Sequence, residues 1–106
     1  MIRPLLFCVL VSVAVSSYAQ QFYVIVGAFA QESNAQKFTG YVRSLRYGAQ
    51  YELNKDKNIF YVYVLKSESR EDALTQVKQL QQDSEFKGTW LFGGQLGTSP
   101  PPARQR

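Results

Sequence analysis

Two stretches of the chain are apolar on odd and even positions alike, where a strand with one face in water should alternate. They are Phe22-Tyr23-Val24-Ile25-Val26-Gly27-Ala28-Phe29 and, thirty-eight positions later, Phe60-Tyr61-Val62-Tyr63-Val64-Leu65. Their wealth of Val, Ile, Tyr and Phe predicts strands. After the first, Ala35, Phe38, Val42 and Leu45 fall on one helical stripe, predicting a helix over 32–48. Ser33 with Gln36 fits a capping box, and Gly48 is placed to end the helix in a left-handed turn. Gly40 lies inside this helix at a cost of about 1 kcal/mol relative to Ala, which marks it as a point of close packing. A short strand near 49–53 and a polar turn cluster, Asn54-Lys55-Asp56-Lys57-Asn58, lead into the second strong strand over 59–65. Ala73, Val77 and Leu80 then share a face of a second helix over 69–82, with Ser69 and Asp72 as a cap pair. A last strand over 86–94 ends in paired glycines.

The order strand, helix, strand, strand, helix, strand is two βαβ halves, and the halves echo each other. Phe22–Val26 overlays Phe60–Val64, Ala35 overlays Ala73, and Val42 overlays Leu80. This is the pattern of an α+β, split-βαβ sandwich (ferredoxin-like or RNP-like): a four-stranded antiparallel sheet with both helices on one face. The first and third strands, the strongest here, take its centre. Successive side chains on a strand point to opposite faces. Val24, Val26, Val62 and Val64 are small and β-branched and suit the face under the helices. Tyr23, Ile25, Gly27, Tyr61, Tyr63 and Leu65 then fall on the other face, which two helices cannot cover. A contiguous apolar patch in the open marks a binding surface, and tyrosine offers it a flat ring with a polar rim. Trp90 extends this platform or competes with Leu91 for the core. Gly27 reads as a bulge or, second to that, as a point of close ligand approach. Two plainer accounts stand beside the platform: tyrosine is a good strand residue, and the C-terminal tail has the length to fold over the face.

The bulk properties narrow the field. In a chain of 106 residues there is room for one small domain. Residues 1–19 read as a secretory signal: Arg3, an apolar run over 4–15 too short to span a bilayer, then Ser17-Tyr18-Ala19 for cleavage between Ala19 and Gln20. The product is expected in the periplasm or elsewhere in the cell envelope, with no stable membrane insertion after cleavage. Cys8 lies inside the apolar run rather than behind it, which disfavours a lipid anchor. The remaining chain has no Cys and no His, so thiol nucleophiles, imidazole bases and the usual zinc or copper ligand sets are excluded, and no cofactor is implied. Residues 21–97, the expected domain, carry nine basic and all eight acidic residues and so only +1, and the rest of the formal net charge of +4 comes from Arg3, Arg104 and Arg106. A nucleic-acid partner needs a basic patch to meet phosphates, and this nearly neutral core has none in view. The tail over 98–106, with Pro100, Pro101 and Pro102 in succession, reads as a flexible end or linker.

The first strand ending in Val26-Gly27-Ala28-Phe29, the internal repeat and the closing Thr89-Trp90-Leu91-Phe92-Gly93-Gly94 together resemble the SPOR (sporulation-related repeat) domain over roughly residues 21–97. The resemblance implies a non-catalytic module of bacterial envelope proteins that binds peptidoglycan, favouring glycan strands stripped of stem peptides, as at cell division sites. It also implies that the glycan lies on the helix-free face. The expected glycan-binding residues are Tyr23, Ile25, Ala28, Tyr61, Tyr63 and Trp90. At three of them this chain departs from the family's usual pattern: Ile25 stands where Gln is common, Ala28 where Ser is common, and Tyr61 where Arg is common. Two polar contacts thereby become apolar and one cation becomes an aromatic ring, which fits either a more stacking-dependent site or a different ligand.

Other functions stand further back. The alternative is an envelope protein–protein interaction or assembly module using the same face. An RNA-binding module of like topology would also carry stacking aromatics, but export and a neutral core argue against it. Glycan cleavage usually needs two carboxylates about 5–10 Å apart. Glu32, Asp56, Glu71 and Asp72 fall in caps and turns, and Glu52, on an edge strand, has no partner in the sequence pattern, so no enzyme is expected.

Overall fold

The computed structural model describes residues 20–97. The signal reading over 1–19, with Cys8 and Ala19, and the proline-rich tail over 98–106 lie outside the described residues. Gln20 is exposed at the start. The elements run β1 (Phe22–Phe29), α1 (Glu32–Ser44), β2 (Gln50–Asn54), β3 (Ile59–Ser67), α2 (Arg70–Asp83) and β4 (Trp90–Gly93). The strands form one antiparallel sheet in the order β2-β3-β1-β4. The α+β split-βαβ sandwich expected from the sequence is thus the observed fold, with the two strongest strands at its centre.

Both helices cover one face. Ala35 and Val42 from α1, with Ala73, Val77 and Leu80 from α2, bury against Val24 and Val62 of the central strands, and Val26 and Val64 pack at the margin. The helices hold few charged residues on that stripe, so burying it removes apolar area without stranding a charge. Thr39 joins the buried stripe because its hydroxyl donates to the Ala35 carbonyl at 2.7 Å, which satisfies the group in place.

Several local expectations need correction. The residue before α1 is Gln31, extended and without a side-chain cap, so Ser33 lies inside the helix and the Ser33–Gln36 box does not form. The helix ends four residues earlier than Gly48, and the left-handed residue there is Arg46, at φ 77°. A methyl group at Gly40 would meet nothing within 4 Å, so this glycine marks open surface, not close packing. Ser69 does cap α2, accepting a hydrogen bond from the Asp72 amide at 3.1 Å. The turn after β2 is closed by Asn54, whose Oδ1 accepts from the amides of Asp56 and Lys57, and by Asn58 at φ 56°.

The central ladder carries two bulges that alternation does not reveal. Val24 faces Leu65 but Ile25 faces Tyr63, leaving Val64 as an extra residue in β3. Ile25 faces Tyr63 but Gly27 faces Val62, leaving Val26 as an extra residue in β1. Beyond these points the side chains exchange faces. Leu65 packs with the helix-side core, and Gly27 turns towards α1, where a methyl group would lie 2.8 Å from the Phe38 ring. The placement of Gly27 and Leu65 on the helix-free face is therefore corrected, while the bulge at Gly27 is observed.

Candidate functional site

The helix-free face is built from alternate residues of all four strands. Tyr23 and Ile25 from β1, Tyr61 and Tyr63 from β3, and the later residue Leu96 form a second buried cluster, with Ile59 and Phe92 against it. Their rings interlock edge to face. Tyr23 and Tyr63 stand 4.9 Å apart at 80°, Tyr61 and Trp90 5.1 Å apart at 86°, and Tyr61 and Phe92 5.3 Å apart at 70°. Such pairs add about 0.5–1.5 kcal/mol each beyond the area they bury. Trp90 faces Ile25 across the β1–β4 pair, and Leu91 packs with the helix-side core. The competition between them is settled in this way.

The expectation that this face lies open is overturned. Tyr23, Ile25, Tyr61 and Tyr63 are each no more than 5% exposed. The cover is a strap, Gly94–Gly97, that follows β4 and crosses from one side of the sheet to the other. Its start is tied by the Gly94 amide to the Gln21 carbonyl at 3.0 Å, and its end by the Gly97 amide to the Leu53 carbonyl of β2 at 2.8 Å. Between these ties Leu96 inserts its side chain into the tyrosine cluster. A single apolar residue among Gly and Gln carries no periodicity, so the sequence gives no sign of it. Glycine is required at the end of the strap: Gly97 has φ 83°, and a methyl group there would lie 2.9 Å from the Glu52 carboxylate.

Glu52 has the partner that the sequence did not disclose. The Tyr63 hydroxyl donates to its carboxylate at 2.8 Å, with Gln50 beside it at 3.4 Å. Burial, this hydrogen bond and the charge of Glu52 push the Tyr63 phenol well above its ordinary pKa of 10.0. Burial, and then the same charge, raise Tyr23, while a hydrogen bond from the Leu96 backbone pulls the other way. Lys66 reaches over the Tyr23 ring with its ammonium 5.8 Å from the centroid. A groove of about 510 Å³ runs beside the strap, lined by Gln21, Tyr23, Glu52, Lys66, Gln95 and Leu96 among others.

The open part of the face lies at the other corner. Trp90 is 38% exposed, and of the large apolar side chains exposed among the described residues, Tyr41, Leu45 and Trp90, it is the one on this face. The β4 ladder stops at Trp90 opposite Ile25, so Ala28, two rungs on and facing Tyr61, has no β4 neighbour and is exposed. Strict alternation puts Ala28 under the helices; the Val26 bulge brings it to the helix-free face. Trp90, Ala28 and the half-buried Phe92 form a shelf over Tyr61. Phe92 was not singled out in the sequence, although its position two residues after Trp90 gives it the same face.

A sheet of this order with two helices on one side defines the class of split-βαβ domains. Within that class the chain belongs to the SPOR domain family, whose sequence pattern matches residues 18–92. Among solved structures, the fold is similar to the peptidoglycan binding domain of the B. subtilis cell wall lytic enzyme CwlC, solved in solution, at a TM-score of 0.52 and 16% identity, covering 81% of this chain and 100% of that one. Comparison with curated proteins finds no match.

Proposed function

We propose that the chain is a non-catalytic, exported envelope module that binds the glycan strands of peptidoglycan through the helix-free face of its sheet, with Trp90 as the exposed stacking residue. Membership of the SPOR family supports peptidoglycan as the partner, and the likeness to a peptidoglycan-binding domain is in keeping with it. The observation that carries the choice of place is the exposure of Trp90 at 38% beside Ala28, above a buried Tyr61 that holds the indole edge-on. A pyranose ring presents weakly positive C–H groups to an aromatic face, and the shallow shelf gives room for an extended strand rather than enclosing a small molecule. Tyr23, Ile25 and Tyr63 then serve as the foundation of the shelf, and Tyr61 as its direct support.

A pull-down with purified sacculi, before and after an amidase strips the stem peptides, tests this reading. Wild type is expected to bind, more strongly after amidase treatment. Trp90→Ala should lose at least about tenfold in binding, as a truncated anchor residue does. It should also lower the unfolding midpoint because the edge-to-face pair with Tyr61 is lost, so binding is compared under conditions where both proteins are folded. Trp90 is also the chain's one tryptophan, so its emission should shift on glycan addition. Unaltered binding by Trp90→Ala would place the contact elsewhere, and self-association that quenches Trp90 without sacculus binding would favour the protein-interaction reading.

A further inference from the structure

We propose that the strap Gly94–Gly97 is a gate: it closes the tyrosine half of the helix-free face, and its release lengthens the glycan-binding surface beyond the Trp90 shelf. This inference rests on the function proposed above. Beneath Leu96 lies a surface made for a ligand with hydroxyl groups. Tyr23 and Tyr63 meet edge to face, the Tyr63 hydroxyl and the Glu52 carboxylate lie at one side, and Lys66, Gln21 and Gln95 line the adjoining groove. A permanent apolar core has no need of two phenols, a carboxylate and an ammonium at its rim.

The strap is fastened lightly. Two backbone hydrogen bonds hold it, from the Gly94 amide to the Gln21 carbonyl and from the Gly97 amide to the Leu53 carbonyl, and Leu96 is its one buried side chain. No ladder of strand pairing secures it, whereas β1 is paired along its length with β3. Its two ends are glycines at φ 150° and 83°, positions where the backbone turns with little resistance. Segments with few buried contacts and few backbone bonds open at low cost while the sheet stays intact. A site that is open for only a fraction of the time binds more weakly by that same fraction, so the closed strap lowers affinity without touching the Trp90 shelf.

Two measurements on the protein, with amidase-denuded glycan strands as the probe, decide the matter. In Leu96→Ser the plug is lost, and binding is expected to tighten about tenfold, the effect of a gate open roughly one-tenth of the time. In the unmodified protein, saturating glycan should speed hydrogen exchange at the Gly97 amide while the β1–β3 amides become no less protected. Equal or weaker binding by Leu96→Ser, or a Gly97 amide that stays protected in the complex, overturns the gate and leaves the Trp90 reading standing. Absence of binding by both proteins overturns the gate together with the proposed function.

Discussion

Gly27 sits beneath the Phe38 ring of α1. A methyl group there would stand 2.8 Å from the Phe38 ring and 3.0 Å from that of Phe29, two rings that pack 5.2 Å apart. Gly27→Ala is expected to destabilise the fold by about 1–3 kcal/mol, the usual result of forcing atoms into a packed site. Urea unfolding should show a lower midpoint with an unchanged slope. The tyrosines give a second prediction at this scale. Tyr23 and Tyr63 titrate above 10.0 in the folded chain, so the unfolded chain gives up their protons first. Stability is whole below pH 10 and falls as pH rises above it. Tyr63→Phe should flatten that alkaline decline relative to wild type when both are unfolded by denaturant between pH 9 and 11. Of these two residues the type and the face were legible in the sequence, but not the burial. The partners that tune them, Glu52 and Leu96, come from a sheet edge and a strap, and neither leaves a mark on local periodicity.

At the scale of elements, the two helices differ in how they begin. α2 starts at Ser69, whose hydroxyl accepts from the Asp72 amide, and has Glu71 and Asp72 in its first turn. α1 starts at Gln31 with no side-chain cap and relies on Glu32 alone for charge in that turn. Ser69→Ala should therefore cost about 1 kcal/mol in unfolding free energy, whereas Ser33→Ala should have no comparable effect, read by the same denaturant titration. The helices themselves were plain in the spacing of Ala35 and Val42 and of Ala73, Val77 and Leu80, because burial against a sheet imposes that spacing. Their ends were less so. A capping box needs only the right letters at the right interval, and Ser33 with Gln36 supplies them two residues too late. The strands show the same division. Their existence and central position follow from β-branched and aromatic content, but the faces of Ala28, Gly27 and Leu65 depend on bulges, and a count of odds and evens cannot register an inserted residue.

For the molecule as a whole, the internal repeat made the topology readable. Two halves that each carry strand, helix and strand close into one sheet only by interleaving their strong strands at the centre. The chemistry of the second face was readable in part: the aromatic residues were identified, and their edge-to-face packing follows once they share a surface. Whether that surface met water was not readable, since the answer lay with Leu96, an isolated apolar residue between Gln95 and Gly97. The consequence is a division of labour across one face. Four side chains expected to touch ligand, Tyr23, Ile25, Tyr61 and Tyr63, hold the sheet's second core, and the exposed aromatic surface of that face is left to a corner at Trp90.

The extra residues in the central ladder have one more consequence. Val64 is surplus on β3 and Val26 is surplus on β1, so each slip is undone by the other, and Phe29 again faces Phe60 with the same alignment that Phe22 keeps with Ser67. Removing either valine by itself would throw the remaining rungs out of step and carry Ala28 away from Tyr61. Removing both would leave the pairing intact. The two insertions are thus a matched set, and a lineage that discards one has reason to discard its counterpart.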